Sequence, residues 1–347
     1  RADDEMRDVV GRLLSPTALL RVVPLMSIAP MALPAHEQYL ADVAQVMPPP
    51  GLSAVAALLV EARGERLVEP GTDPSLHPLV VPLTTSSEGE VTGLLRWPGA
   101  SGGGTKLPLV KTDGRQLLQL APCAEHYLHR ELVLASADEE HDAKDTAALE
   151  ALAASCGIEY ARGAAESSPG GLPGYLITRV GPFMQEYERL SARHLAAGSE
   201  QAALITCEKN QACFGAWGRP FAFHSQTLRQ LDRPEECRDL ARHALTMPLW
   251  TLGAELSELC ALAETSIEEL AGTTRLRASG ALTPEQLRSQ NGMEKRTPQQ
   301  IAKDRASYLL DLVVAQPDEY SWEGCREQLA AHYTEAGMAG LAAFVRA

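Results

Sequence analysis

The feature that most constrains the fold is a sequence pattern that occurs twice at a fixed interval. Gly198 opens the segment GSEQAALITCEKN, and the corresponding segment DRPEECRDLARHA starts 34 positions later, at Asp232. The small side chains of Ala203 and Cys237 occupy equivalent positions in the two segments. Two helices of a hairpin cross closely only where a small side chain lies at the contact. The period therefore predicts two consecutive helix–turn–helix units.

The same offset aligns further positions of the two units, namely Tyr187 with Phe221, His194 with Leu228, Cys207 with Ala241, and Asn210 with Ala244. A third, degenerate copy would place Ser266 at its turn and Ala271 at its small position. This period is the signature of the tetratricopeptide repeat, and an ordinary helical bundle with a chance echo is the alternative. Because a solenoid usually needs about three repeats, we expect a compact module.

Composition limits the class of protein. Hydrophobic residues make up 45% of the 347 residues and aromatic residues only 5%, which favours closely packed helices. The net charge of −14 repels phosphate backbones, so direct nucleic-acid binding is not expected. Seven cysteines without a CxxC motif predict reduced thiols in an intracellular compartment.

No transmembrane segment is predicted. The longest apolar tract, Leu19–Pro34, contains Arg21 and three prolines and is shorter than the roughly 20 residues that cross a bilayer. We therefore expect a soluble or membrane-peripheral protein. The sequence starts at Arg1, which is expected where a targeting segment has been removed, and a trimmed chain is the alternative.

The fold class is predicted to be mainly α, with four regions along the chain. Residues 1–75 are expected to be a helical segment, and residues 76–162 a small α+β domain with antiparallel hairpins, one of them turning at Asp113-Gly114. Residues 163–182 are rich in glycine and proline and are predicted to be a linker. Residues 183–347 are predicted to form a tetratricopeptide-like helical repeat domain with a C-terminal helical cap.

Helical periodicity and capping signals set the bounds of the predicted helices. Thr297 stands in the N-cap position before Pro298. The predicted helices cover 3–20, 35–46, 52–62, 122–134, 146–156, 183–197, 200–213, 221–231, 234–246, 249–263, 267–276, 284–290, 298–314, 322–336 and 339–345.

Two histidines have a spacing that is compatible with metal binding. His126 and His129 are three residues apart on a predicted helix, so they share one face. The acidic run at 139–142 is near in sequence, but no third ligand is set by spacing. Histidines that pack or hydrogen-bond on a helix face are commoner, so we predict neither a metal nor another cofactor.

The segment at 100–106, ASGGGTK, partly matches a phosphate-binding loop. The full G-x-x-x-x-G-K-[ST] pattern is absent, because Leu follows the lysine. A flexible hairpin loop is the better interpretation.

The aromatic segment at 214–223, FGAWGRPFAF, lies between the two helical units. Arg219 beside Trp217 could stack on the ring or reach a carboxylate. One hypothesis is a partner-binding ridge formed by Phe214, Trp217, Arg219 and Phe221. The alternative, which we favour, is an inter-repeat turn whose aromatic side chains fill the core. In either case Trp217 is the residue expected to stay exposed.

Several stretches resemble a family of plant and green-algal proteins that are imported into chloroplasts. They are HPLVVPL, GEVTGLLRWP, APCAEHYLHRELV and GRPFAFHSQTLRQLDRPEECRDLARHALTMPLWTLG, and the resemblance covers most of residues 75–260. It implies a chloroplast location, in the stroma or associated with the thylakoid, with the transit peptide removed. No functional residues are carried over.

The predicted function is therefore a non-catalytic protein–protein interaction protein, an assembly factor for or accessory subunit of a chloroplast complex. The repeat period, the acidic charge and the lack of an active-site motif support this hypothesis. Its partners would be other proteins in a large organelle complex. One alternative is an enzyme with a site in residues 75–160. Another is a ribosome- or translation-associated factor that acts through protein contacts.

Overall fold

The computed structural model of the protein describes residues 28–98, 107–138, 143–279 and 296–347. The predicted helices at 3–20 and 284–290, the loop at 100–106 and the acidic run at 139–142 lie outside the described residues.

The N-terminal part packs short helices against one antiparallel sheet. Helix α1 covers Pro34–Asp42, and α2 covers Leu52–Ala57 and continues as a π-helical turn over Leu58–Ala62. The five strands lie in sequential order and are β1 Arg66–Leu67, β2 Val80–Thr85, β3 Val91–Leu95, β4 Leu109–Thr112 and β5 Leu117–Ala121. The prediction of a mainly α fold with a small antiparallel sheet is confirmed.

The geometry of this sheet requires glycine at two positions. Gly114 has φ 101° in the β4–β5 turn, a backbone conformation that glycine adopts without steric cost, and Asp113 accepts a hydrogen bond from the Arg115 amide at 3.0 Å. Gly93 of β3 pairs with Pro82 of β2, next to a bulge in β2. A Cβ at Gly93 would come within 2.5 Å of the Val81 carbonyl oxygen. The predicted Asp-Gly hairpin turn is confirmed.

Helices α3, Ala124–Ala137, and α4, Ala143–Ser155, follow the sheet. The stretch predicted as a linker contains α5, Gly171–Tyr175, and a π-helical turn, Leu176–Val180. Ala165 and Leu176 are fully buried there. Glycine and proline in this stretch therefore shape a packed turn, with Gly170 and Gly171 at positive φ. The division of the chain into four regions stays a prediction.

Two helical hairpins occupy the positions that the repeat period predicts. The first pairs α6, Met184–Ala196, with α7, Glu200–Cys213, and the second pairs α8, Arg219–Gln230, with α9, Pro234–Ala244.

The equivalent positions of the two hairpins have equivalent structures. Gly198 and Asp232 follow the first helix of each hairpin with φ 72° and 55°, the left-handed conformation that commonly ends a helix. Ala203 and Cys237 are buried. The predicted hairpins are thus confirmed, whereas their assignment to tetratricopeptide repeats stays a prediction.

The predicted third copy is shorter and interrupted. A 3₁₀ turn at Leu249–Thr251 precedes α10, Leu256–Leu262, and α11, Ile267–Ser279. The prediction of one helix over 249–263 is wrong, because Gly253 at φ 56° breaks it. Ala271 is buried, as its alignment with Ala203 predicts.

The last three helices are α12 Pro298–Ala315, α13 Trp322–Glu335 and α14 Ala339–Arg346. Thr297 and Gln300 form the capping box of α12, so the predicted N-cap is confirmed. These helices also pack on the N-terminal part, because Leu329 and Phe344 share the main core with Leu40 and Leu94. Among the described residues, no helix combines the length and apolar character that spanning a membrane requires.

Candidate functional site

The aromatic segment between the hairpins packs inward. Trp217 and Phe214 are buried, with 5% and 6% of their surface exposed. The Trp217 ring lies against Trp97, with ring centroids 5.3 Å apart, and Phe214 meets Tyr187 edge-on at 6.5 Å. The expectation that Trp217 stays exposed is therefore wrong, because the end of β3 brings a second indole over it.

All four tryptophans of the chain belong to one group of ring contacts, here called the tryptophan cluster. Trp97 also contacts Trp250 at 5.1 Å, and the His77 ring lies 4.7 Å from Trp250 and 4.4 Å from Trp322. The Trp322 indole nitrogen donates a hydrogen bond to the Gly114 carbonyl at 2.6 Å. The cluster therefore joins the sheet to the hairpin region, through Trp217 and Trp250, and to helix α13, through Trp322.

His77 is uncharged in this cluster. Burial among the indoles, and then the positive charge of Arg326, lower the pKa of His77 to about 3. Its Nδ1 accepts a hydrogen bond from the Leu79 amide at 3.2 Å. His77 is therefore an aromatic packing residue at neutral pH.

Arg219 makes a bidentate ion pair with Glu188 of α6, at 2.7 and 2.8 Å. Its guanidinium also donates to the Gly253 carbonyl at 3.0 Å. Arg219 thus connects α8 to α6 and to the turn before α10. The ion pair with Glu188 is the contact with a carboxylate that the sequence analysis considered for Arg219. Phe221 is half-buried against the ring of His243, at 4.7 Å. The role of these residues in partner binding stays a prediction.

The two histidines considered as metal ligands lie on α3. His126 packs edge-on against Phe183, with ring centroids 6.5 Å apart. Burial, and then the nearby His126, lower the pKa of His129. In the described part of the chain, no group of three or more His, Cys, Asp or Glu side chains is arranged to hold a metal ion.

A buried charge network beside these histidines was not predicted. Glu186 of α6 is completely buried and accepts from Arg189 at 2.7 Å and from Arg130 at 3.3 Å. Glu131, next to Arg130 on α3, pairs with Arg63. Breaking such a pair leaves an uncompensated charge, so this network fixes α3 against α2 and α6.

A cleft of about 730 Å³ opens between α9, α11 and α12. We call it the α11 cleft. One wall of the cleft is apolar and is formed by Leu245, Leu249 and Leu270. Leu276, which also lines the cleft, is 50% exposed.

A buried carboxylate lies in the lining of this cleft. Asp311 of α12 accepts a hydrogen bond from the Leu249 amide at 2.7 Å. Burial raises the pKa of Asp311 to about 7, although the Leu249 hydrogen bond and the charge of Arg277 act in the opposite direction. The Asp311 carboxyl group is therefore close to half protonated near neutral pH.

The other charged groups of the cleft are engaged. Arg242 donates to the Ala263 carbonyl at 2.9 Å and lies 3.7 Å from Glu264. The Arg277 guanidinium is over the Tyr308 ring, 5.6 Å from its centroid. Glu269 accepts from the Ser266 amide at 3.3 Å at the start of α11. No histidine or cysteine is among the described lining residues.

Sequence reasoning missed the α11 cleft. The one available signal was Asp311 within the apolar run YLLDLVV, since a carboxylate on a buried helix face needs a partner. The facing helices α9 and α11 end at Ala244 and Ser279, far before Asp311 in the sequence, so no local pattern could place them beside it.

Three domain families match this chain. The PAB N-terminal domain matches residues 34–179, the PAB middle domain residues 184–267 and the PAB C-terminal domain residues 282–347. An Arabidopsis thaliana protein named Protein IN CHLOROPLAST ATPASE BIOGENESIS, chloroplastic, is 33% identical over 314 residues, which cover 89% of this chain and 90% of the relative. No solved structure matches the chain significantly.

Proposed function

The chain belongs to the family of proteins that carry the PAB N-terminal, middle and C-terminal domains, and we propose that it is a non-catalytic assembly factor for the chloroplast ATPase. The observation that carries the proposal is the likeness to the Arabidopsis thaliana relative, whose name places that protein in chloroplast ATPase biogenesis. Because the two chains match along 89% and 90% of their lengths, the likeness extends through all three matched domains. The chain is a chloroplast protein, like this relative.

The fold supports a role in binding other proteins. The two hairpins, which follow each other at a fixed spacing, support a tetratricopeptide-like middle domain, and helical repeats of this kind commonly form binding surfaces. The acidic chain, with a net charge of −14, favours basic protein partners over nucleic acid.

Depletion of the protein in the organism that encodes it tests the proposal. We expect less assembled chloroplast ATPase on native gels, while the photosystems, which have unrelated subunits, keep their normal amounts. Restoring the wild-type chain should restore the ATPase. Normal ATPase levels in depleted chloroplasts would contradict the proposal.

The proposal that the protein is non-catalytic is tested separately. Purified protein should show no turnover of ATP, and it should promote assembly in amounts comparable with its partner. Promotion of assembly at a small fraction of the partner's concentration, with a chemical change in that partner, would favour the enzyme alternative.

A further inference from the structure

We infer that Arg96 is a binding site for an oxyanion, a carboxylate or phosphate group that pairs with its guanidinium from outside the fold. Arg96 directly follows β3, and its backbone amide donates a hydrogen bond to the Leu79 carbonyl at 2.8 Å. Only 9% of the residue is exposed. The inference is independent of the proposed function, because it rests on the charge balance of this one side chain.

Aromatic residues of the last two helices fix the position of the guanidinium. It lies over the Phe344 ring of α14, 5.2 Å from the ring centroid, which is a cation–π contact. Tyr333 of α13 is close enough to Arg96 for the two groups to interact electrostatically. Phe344 and Tyr333 are both buried, so close packing keeps the Arg96 side chain in this orientation.

The positive charge of Arg96 is not balanced by a described carboxylate. Its Nε and Nη1 atoms are buried, and no described residue accepts a hydrogen bond from them. Burial lowers the pKa of Arg96, and the interaction with Tyr333 acts in the opposite direction. A buried cation without a counter-ion is unfavourable, so an anion that reaches this guanidinium gains a strong interaction.

Other interior arginines of the chain have their acceptors within the fold. Arg130, which is 6% exposed, pairs with Glu186 at 3.3 Å, and Arg219 pairs with Glu188 at 2.7 Å. The three guanidinium nitrogens of Arg326 donate to the backbone carbonyls of residues 74, 345 and 76 at 3.0–3.1 Å. Arg96 differs from these residues because the described chain supplies it with no such acceptor.

The third nitrogen of Arg96 provides the access. Nη2 is absent from the buried unpartnered atoms, and no described residue accepts from it, so it is the side of the guanidinium that faces solvent. A water molecule there supplies a hydrogen bond but leaves the charge unbalanced. An oxyanion supplies both, because its two oxygens match the guanidinium fork.

The net charge of the whole protein affects which oxyanion is preferred. The sum of −14 opposes the approach of any anion, and it opposes a doubly charged phosphate more than a singly charged carboxylate. Binding therefore depends on the direct contact with Arg96, where poor solvation strengthens a charge-assisted hydrogen bond. We expect acetate to bind more strongly than inorganic phosphate.

Thermal unfolding of the full-length protein in acetate or in inorganic phosphate tests the site, with the ionic strength held constant by sodium chloride. Since a bound ligand stabilises the folded state, the Tm of the wild type should rise by about 2–4 °C for each tenfold increase in anion above its Kd. A rise in acetate supports a carboxylate site, and a rise in phosphate alone supports a phosphate site.

Two variants connect this rise to Arg96. Arg96→Met removes the charge and should abolish the rise. In chloride alone this variant should unfold at or above the wild-type Tm, because it removes an unpaired buried charge. The matched control is Arg115→Met, which removes the same charge from an exposed residue in the β4–β5 turn and should keep the wild-type response to the anions.

Three results would overturn the inference. The first is a wild-type Tm that responds to neither anion, and the second is a rise of wild-type size in Arg96→Met. The third is a Tm of Arg96→Met in chloride well below that of the wild type, which would show that Arg96 is already satisfied within the fold. The proposed function would still be judged by the ATPase level in depleted chloroplasts.

Discussion

The indole of Trp97, just after β3, lies 5.3 Å from the indole of Trp217, in the turn between the two helical hairpins. The contact joins the sheet to the helical part, and Trp250 extends it at 5.1 Å from Trp97. The sheet and the hairpins are therefore held in one arrangement by aromatic packing, so the two parts should resist denaturant together.

Replacing Trp217 by Ala should lower the free energy of unfolding by about 3–5 kcal/mol, the usual cost of deleting a buried large aromatic side chain. Urea unfolding followed by far-UV circular dichroism measures this change. Trp217→Phe keeps an aromatic ring against Trp97 and should cost much less. Equal, small effects of both variants would show that this contact contributes little.

Breaking the pair of Arg219 and Glu188 should also be costly. Arg219→Met leaves the carboxylate of Glu188, which is 1% exposed, buried without its partner, so we expect a loss of about 3–5 kcal/mol in unfolding free energy. Arg233→Met is the matched control, because Arg233 pairs with Glu236 at the surface and such pairs contribute only about 0–1 kcal/mol. Similar losses of unfolding free energy in the two variants would show that the buried pair of Arg219 and Glu188 stabilises the protein no more than a surface pair does.

Gly93→Ala should destabilise the protein by about 1–3 kcal/mol, as overpacking does, because the new Cβ would meet the Val81 carbonyl oxygen at 2.5 Å. Gly272→Ala, inside α11, is the comparison, since its added Cβ has no described atom within 4 Å apart from the adjoining residues and backbone of its own helix. It should raise stability by about 0.5–1 kcal/mol through helix propensity. Thermal unfolding of both variants distinguishes the two effects.

Stability should depend on pH through Asp311. Its pKa is about 7 in the folded protein against an ordinary value of 3.8, so between pH 4 and pH 7 the folded state binds more protons than the unfolded state. The contribution of Asp311 to stability is then present below pH 4 and is lost as the pH rises towards 7. Asp311→Asn should therefore gain stability relative to the wild type as the pH rises from 5 to 7.

Urea unfolding of both proteins at pH 5, 6 and 7 measures that difference. Groups other than Asp311 contribute equally to both proteins. His77, for example, whose pKa is lowered to about 3, removes stability as the pH falls below its ordinary 6.5. A stability difference that does not change with pH would show that Asp311 has an ordinary pKa in the folded protein.

Several local features could be predicted from neighbouring residues. The hairpin positions follow from the spacing of Gly198, Ala203 and their equivalents in the second hairpin, and the start of α12 follows from Thr297 and Pro298. The β4–β5 turn follows from Asp113-Gly114. Each depends on φ, capping or side-chain size within a few residues, which the chain carries wherever it is packed.

The exposure of the aromatic segment could not be predicted in this way. Trp217 is polar at one end and lies in a turn, so its local sequence fits a surface position equally well. The residue that covers it, Trp97, is 120 positions earlier in the chain. Its burial is decided by how the sheet packs on the hairpins.

By itself, the sequence determined the helical hairpins, the antiparallel sheet and the acidic character of this protein, because period, turn chemistry and charge are local or summed properties. Only the tertiary structure decided the tryptophan cluster, the buried charges of Glu186 and Glu188, and the cleft around Asp311. These sites join side chains from distant helices and strands, and their burial and electrostatics exist only once those elements pack together.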